Sequence, residues 1–420
     1  MEKNGKYIIK KAEVLTGSVM VSGSKNAALP ILAACLLTNG KTTLHNVPNL
    51  TDITVMCEIL NCLGVNISRE DKHTVIIDAS RIRHAVAPYD LTSRMRGSFL
   101  VMGPLLARMK QVSLSLPGGC PIGSRPVDLH LKGFQALGAE VSKGYGFAEV
   151  SAKKLKGNKI YLDFPSVGAT ENVLMAAVLS DGNTTIENAA AEPEIADLAA
   201  FLNSAGAHVS GAGTDTIKIR GVKEMHPTEY TIMPDRIEAG SFMVASAITG
   251  GEINIENVVP AHVKPLTAKL CEMGAEIKSS GNVLRMKKGN GYHATDVKTL
   301  PFPGFPTDMQ AQMMALLSVS GGTGIVTETV FENRFMHAQE LCRMGAHIKV
   351  EGHCAVVEGV DHLTGTKVMA TDLRAGAALV LAGLAAEGQT EVSGVHHIDR
   401  GYENLDGKLR ALGADIERIY

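Results

Sequence analysis

The stretch GFQALGAEV (residues 133–141) decides the fold, because close versions of it recur along the whole chain. ILNCLGVNI (59–67), FLNSAGAHV (201–209), LCEMGAEI (270–277), LCRMGAHI (341–348) and LRALGADI (409–416) share its plan. Each reads as the end of an amphipathic helix, a glycine that closes it, and the alternating residues of a strand. The six glycines are Gly64, Gly138, Gly206, Gly274, Gly345 and Gly413. Their spacing of about 70 residues exceeds that of common solenoid repeats, so each unit is expected to be a small α/β subdomain.

Working outward, a helix rich in small apolar residues precedes each stretch: NAALPILAACLL, GSFLVMGPLLAR, TENVLMAAVLS, AGSFMVASAIT, MQAQMMALLSV and AGAALVLAGLAA. After most of these comes a glycine turn and a strand, as in TNGKTTLHNV and SDGNTTIENA. Six such units suit either one six-part assembly or two domains of three. The stretch EMHPTEYTIMPDR (224–236) interrupts the pattern between the third and fourth units and is expected to form part of a domain boundary.

The chain has 420 residues, of which 45% are hydrophobic and 20% charged, as in soluble globular proteins. A formal net charge of −2 gives no bulk attraction to nucleic acid or membrane. There is no tryptophan, and 4% of the residues are aromatic, which leaves few stacking platforms for single-stranded nucleic acid. MEKNGKYIIKKAEV lacks the apolar region of a secretory signal, and runs such as AALPILAACLL fall short of the roughly 20 residues that span a bilayer. Seven cysteines without CxxC pairing suit a reducing compartment, so a cytoplasmic protein is expected.

One tempting motif dissolves against the repeat. TNGKTT (38–43) resembles the end of a phosphate-binding P-loop, but Cys35 stands where that motif needs its first glycine. The same turn recurs elsewhere without lysine.

What breaks the repeat is more informative. PGGCPIGSRPVD (117–128) is unique to the second unit. Its glycines permit close backbone approach while its prolines limit freedom, a composition suited to a constrained flap carrying a reactive Cys120. It also suits a long turn with an incidental cysteine. A nucleophile elbow is excluded, since Ile122 occupies the second glycine's place. The other six cysteines fall in apolar helix and strand patterns. Lys25 and Asn26 open an apolar helix, where free N–H groups favour anions. Asp308 in FPTDMQAQ is expected to be an N-cap. Glu332 and Arg334 follow a strand in TETVFENRFMH, while Arg374 and Arg400 lie near helix starts in DLRAGAA and HIDRGYE. A lysine, several arginines and an isolated carboxylate near repeat junctions suggest a site for a multiply charged anion.

GSKNAALPILAA, LPGGCPIGSRPVDLHL, SVGATEN, FPTDMQAQ, TETVFENRFMH, DLRAGAALVLAGL and HIDRGYENLDGKLRALGA, taken in order from Lys6 onward, resemble the UDP-N-acetylglucosamine 1-carboxyvinyltransferases. These are the enolpyruvyl transferases that begin peptidoglycan precursor synthesis. The resemblance implies an α/β fold of two domains built from six βαβαββ units, three per domain, with the active site in the interdomain cleft. One domain would span 22–233; the other would combine 1–21 with 234–420. It also implies transfer of the enolpyruvyl group of phosphoenolpyruvate to the 3′-hydroxyl of UDP-N-acetylglucosamine, with release of phosphate and with no metal or organic cofactor.

By the same resemblance Cys120 is the proton donor and Asp308 the carboxylate near the attacking hydroxyl. Lys25, Arg125 and Arg400 would hold the phosphate of phosphoenolpyruvate, Arg334 and Arg374 its carboxylate, and Asn26 would bind phosphoenolpyruvate beside Lys25. Arg96, Arg125, Pro126, Val127, Asp128, Leu129, Ser166, Asp308 and Val330 would contact the sugar nucleotide. Two positions depart from the pattern: Ser124 replaces a common alanine, and Phe164 stands where some relatives carry a lysine near the nucleotide. The shikimate-pathway enolpyruvyl transferases share the chemistry but lack the cysteine loop. A catalytically silent sugar-nucleotide sensor is the other alternative, opposed by the intact Cys120, Asp308 and arginines.

Overall fold

All six glycines that close the repeated helix have positive φ, from 89° at Gly138 to 115° at Gly274. A side chain is strained there, which is why glycine recurs. The hydrogen bonding recurs with it. Gly138 N donates to Gln135 O at 2.9 Å and Ala139 N to Phe134 O at 3.0 Å, and the equivalent pair of bonds closes the other five turns. This is the Schellman arrangement, which satisfies carbonyls that the helix end leaves free.

In this computed structural model the described residues are 5–116, 123, 126–144, 146–287, 289 and 291–420. They form two units. One holds Met1–Ser22 and Pro234–Tyr420 together with Gly123; the other holds Gly23–Gly119 and Arg125–Met233. Each has its own continuous apolar core.

The fifth repeat shows the module. Strand Val297–Lys298 leads to the buried helix Gln310–Leu317, strand Thr323–Thr327, helix Met336–Arg343 and the hairpin His347–Glu351 with Cys354–Glu358. Val297–Lys298 pairs in parallel with Thr323–Thr327, which pairs antiparallel with Cys354–Glu358. This is the βαβαββ order, and the third repeat follows it; the first and fourth sheets have the same strand arrangement with the parallel strand supplied from elsewhere in the chain. The second repeat has three strands, with a parallel bridge from Val86 to Ser113 in the fourth place.

In the sixth sheet, strand Lys6–Lys10 lies between Gln389–Ser393 and Ile416–Ile419, antiparallel to both. It fills the place of the last hairpin strand. Thr16–Met20 likewise supplies the parallel strand beside Glu252–Glu256 in the fourth sheet. The stretch 224–236 contains a further element, the strand Glu229–Thr231, which runs parallel to Lys41–His45 and completes the first sheet.

The small-residue helices are buried on nearly every side, as their lack of a polar face requires. In Lys25–Ala34 only Asn26 is not buried. Close packing depends on absent side chains. A Cβ at Gly103 would lie 2.3 Å from Asn172 O, and one at Gly133 would lie 2.1 Å from Val173 Cγ2.

Near the end of the second unit, Tyr230 Oη donates to Asp197 Oδ1 at 2.7 Å and Met233 N to Oδ2 at 3.3 Å. Burial pushes this carboxyl up to about 6 in spite of the two donors. A carboxyl whose folded pKa exceeds its unfolded value, about 3.9, favours folding at low pH and loses that contribution as pH rises through the folded pKa. Asp197→Asn, which imitates the protonated acid, is therefore expected to gain stability over the parent between pH 4 and 8. The relative gain should be about 1–3 kcal/mol, read from denaturant melts at the two pH values. An unchanged difference between the two proteins would contradict it.

Candidate active site

The unit holding Pro234–Tyr420 contains a half-buried carboxylate between two buried arginines. The chain enters helix Gln310–Leu317 through the short 3-10 turn Thr307–Met309, and Asp308 sits in that turn. It is not the expected N-cap. The residue before the turn is Pro306, no side chain caps it, and the oxygens of Asp308 are taken by guanidinium groups.

Arg334 Nη2 donates to Oδ1 at 2.7 Å. Arg374 Nη2 and Nε donate to Oδ2 at 2.9 and 3.2 Å. The two arginine side chains are 7% and 4% exposed and that of Asp308 is 27% exposed, so the carboxylate is the part of the cluster that faces out. Burial pushes the Asp308 carboxyl up, but the positive charges of Arg374 and Arg334 outweigh it and hold the group well below the usual carboxylate range.

Neighbours fix each arginine. Asp372 caps helix Leu373–Ala385 by accepting from Arg374 N and Ala375 N, which sets the start of the Arg374 side chain. Its guanidinium lies 5.4 Å from the Tyr402 ring centre. Tyr402 Oη is itself bonded to Ser241 Oγ at 2.7 Å and accepts from Gln312 Nε2 at 3.1 Å. Arg374 Nη1 is buried with no hydrogen-bond acceptor among the described residues. Arg334 lies 5.0 Å from the Phe331 ring centre and donates from Nη1 to Thr307 Oγ1 at 2.8 Å. Two guanidiniums on one carboxylate leave a surplus positive charge and a spare donor, which is what a second, incoming carboxylate requires. Val330 and Arg400 are half-buried in the same unit. Val330 follows strand Thr323–Thr327, and Arg400 lies in the turn after the short helix Val395–Ile398.

In the other unit the expected residues stand at helix starts. Lys25 opens helix Lys25–Ala34, whose N-cap Ser24 accepts from Ala27 N at 3.3 Å, and Asn26 is half-buried beside it. Lys25 is itself buried, with Nζ 2.6 Å from Asp52 Oδ2. Arg96 opens the 3-10 segment Arg96–Val101, and Ser166 caps helix Val167–Ala177 by accepting from Ala169 N at 3.4 Å. Asp128 opens helix Asp128–Ala136 and pairs with Lys143. Pro126 is exposed, Val127 buried and Leu129 half-buried. Helix Lys25–Ala34 packs on Arg96–Val101, which packs on Val167–Ala177, which packs on Asp128–Ala136. Buried Asn172, in Val167–Ala177, ties three of these together, with Nδ2 donating to Phe99 O at 3.0 Å and contacting His130 Nδ1 at 2.9 Å. Phe164 is exposed.

Cys120, Ser124 and Arg125 lie outside the described residues. The sequence did not single out Asp52, Thr307, Glu328, Gln312 or Tyr402. Thr307, Gln312, Glu328 and Tyr402 lay within motifs already suspected, and only Asp52 lay outside them. Among the described residues no group of three or more His, Cys, Asp or Glu is placed to hold a metal ion.

Residues 9–409 match the family model described as EPSP synthase (3-phosphoshikimate 1-carboxyvinyltransferase). The fold agrees with that class. The enolpyruvyl transferase NikO from Streptomyces tendae superposes with a TM-score of 0.89 at 26% identity, covering 99% of both chains. EPSP synthase from Acinetobacter baumannii gives 0.76 at 18% identity over the whole of both chains, a likeness of fold alone.

Sequence relatives narrow the class. UDP-N-acetylglucosamine 1-carboxyvinyltransferase 1 of Caldanaerobacter subterraneus is 58% identical over 98% of this chain and 99% of its own. UDP-N-acetylglucosamine 1-carboxyvinyltransferase 2 of Carboxydothermus hydrogenoformans is 57% identical over 99% of both. The chain belongs to the UDP-N-acetylglucosamine 1-carboxyvinyltransferase family.

Proposed function

We propose that this protein transfers the enolpyruvyl group of phosphoenolpyruvate to the 3′-hydroxyl of UDP-N-acetylglucosamine and releases phosphate, a step of peptidoglycan precursor synthesis. The observation that carries the chemistry is Asp308 held between Arg334 and Arg374. A carboxylate is available to take a hydroxyl proton, and the arginines beside it are matched to the carboxylate of phosphoenolpyruvate.

The reaction is an addition followed by an elimination. A proton delivered to C3 of phosphoenolpyruvate makes C2 electrophilic, and Cys120 is assigned as its donor. The sugar 3′-oxygen bonds to C2 as its proton passes to Asp308. A C3 proton then returns to the Cys120 thiolate, the double bond re-forms, and the C2–O bond to phosphate breaks as the phosphate oxygen takes up the proton held by Asp308. Lys25, Arg125 and Arg400 are assigned to the phosphate, Arg334 and Arg374 to the carboxylate, and Asn26 to phosphoenolpyruvate beside Lys25. Arg96, Arg125–Leu129, Ser166, Asp308 and Val330 are assigned to the sugar nucleotide. Such placement of charge both positions the substrate and stabilises the charge that develops. Among the described residues no helix is long and apolar enough to cross a membrane. The proposed location is the cytoplasm.

The test is phosphate release. Phosphoenolpyruvate with UDP-N-acetylglucosamine is expected to give stoichiometric phosphate, and omission of the sugar nucleotide to give none. Turnover with 3-phosphoshikimate in its place would overturn the assignment of the acceptor.

A further inference from the structure

The repeats provide an internal comparison at the residue that follows the central strand. In the first, third and fourth repeats it is Asn46, Asn188 or Asn257, with φ of 55°, 53° and 59°. Each asparagine donates from Nδ2 to a backbone carbonyl of its own unit: Ile232 at 2.9 Å, Leu162 at 2.7 Å and Val21 at 2.9 Å. That is a structural device, used three times.

The fifth repeat discards it. Glu328 stands there, 1% exposed. Its Oε1 accepts from Val330 N at 2.8 Å, Phe331 N at 3.2 Å and Thr299 Oγ1 at 2.9 Å. Its Oε2 accepts from Thr307 Oγ1 at 2.9 Å. Thr307 Oγ1 in turn accepts from Arg334 Nη1 at 2.8 Å.

We propose that Glu328 is a positioning residue for the reaction: through the Thr307 hydroxyl it fixes Arg334 in the orientation that receives the carboxylate of phosphoenolpyruvate. The inference rests on the assignment of Arg334 to that carboxylate. Direction is what the relay supplies. A hydroxyl has one proton, and an acceptor-only carboxylate claims it, so the Thr307 lone pairs face the Arg334 donor. An amide at position 328 undoes this. Its NH₂ would donate to Thr307, occupying a lone pair and leaving the hydroxyl proton without the acceptor that fixed it, so the lone pairs would no longer be held toward Arg334. The other side of Glu328 holds the Val330–Phe331 turn, which an amide oxygen can still accept from. Glu328→Gln therefore separates the two sides of the residue.

Steady-state kinetics of Glu328→Gln, Thr307→Val, the double variant and Thr307→Ser provide the test. Glu328→Gln and Thr307→Val are each expected to raise the KM for phosphoenolpyruvate about tenfold. The KM for UDP-N-acetylglucosamine should stay within about twofold, and Thr307→Ser should keep parental values. Because both changes break one relay, the double variant should lose about tenfold and not about a hundredfold. Folding is checked by near-UV circular dichroism, and the two threonine variants carry the test if Glu328→Gln does not fold. An unchanged KM for phosphoenolpyruvate, an equal rise in both constants, or a multiplicative double variant would overturn the relay. Arg334→Lys distinguishes the two levels. If it leaves the KM for phosphoenolpyruvate unchanged, the carboxylate assignment itself is wrong.

Discussion

Asp308→Asn is expected to lower turnover by about 10² or more while UDP-N-acetylglucosamine binding stays within roughly tenfold. Asparagine keeps the size and one acceptor of the residue but cannot take the hydroxyl proton. The surroundings of Asp308 sharpen the expectation. With both arginines on it the carboxylate is a very weak base, because Arg374 and Arg334 hold its pKa far down. On the proposed assignment of Arg334 and Arg374, it becomes a useful base only as those guanidiniums are drawn onto the substrate carboxylate. Asp308 and phosphoenolpyruvate thus compete for the same two donors, and the variant should bind phosphoenolpyruvate no more weakly than the parent. Titration calorimetry beside steady-state rates measures both. Equal losses in binding and turnover would point to a purely structural carboxylate.

The same change should cost stability. Removing one partner of a buried charge cluster typically costs about 3–5 kcal/mol. Since the folded pKa of Asp308 lies below its unfolded value, that contribution is present above about pH 4 and lost as pH falls through the folded pKa. The gap between parent and variant in denaturant melts should accordingly be wide at pH 7 and begin to close only below about pH 4.

Alkylation of Cys120 should abolish activity altogether. An epoxide-phosphonate such as fosfomycin carries an electrophilic carbon beside a phosphate mimic. The residues assigned to phosphate should hold it while the thiolate attacks that carbon, the C–O bond opens and the oxygen takes up a proton. Arg125, five residues on in the sequence, should favour the thiolate. The expected outcome is one added inhibitor mass, mapped to Cys120 and faster with UDP-N-acetylglucosamine present. Cys120→Asp should resist the inhibitor yet keep some activity, because a carboxylic acid can still deliver a proton.

Selectivity cannot come from burial of the other thiols. Cys62, Cys271 and Cys342 are exposed, contrary to the apolar pattern of their surroundings. Reactivity must decide. Burial pushes the Cys57 thiol up to about 11 and raises that of Cys271, and a thiol held protonated is a poor nucleophile. Labelling spread over several cysteines, or an unlabelled Cys120 in inactivated enzyme, would refute the assignment.

The repeat was legible because its punctuation is chemical. A helix that must close into a strand needs a residue at positive φ, and glycine marks it in Gly64 and its five counterparts. The buried helices were legible from their small apolar residues, which no exposed helix would carry on every face. Partners distant in sequence were not legible from local pattern. Nothing in NLTDIT says that Asp52 meets Lys25, since an acid in the first turn of a helix already satisfies the helix dipole. Asp308 resembles a cap for the same reason, and only the approach of Arg334 and Arg374 from later in the chain shows otherwise. TETVFEN offers two glutamates, and sequence alone does not tell that Glu328 is buried while Glu332 is exposed.

The strand Lys6–Lys10 has a consequence for how the chain is made. Lys6 bonds Glu391, 385 positions later, so the sixth sheet cannot close until almost the whole polypeptide exists. At roughly 5–20 residues per second the first strand leaves the ribosome on the order of 20–80 seconds before its neighbours. Through that interval KYIIK has free backbone edges and two isoleucines to protect, an invitation to pair with the wrong chain. The unit from Gly23 to Met233 meanwhile has every strand of its three sheets already synthesised. Synthesis therefore favours an order of assembly in which the inserted unit folds first, and the unit that begins the chain is the last to be completed.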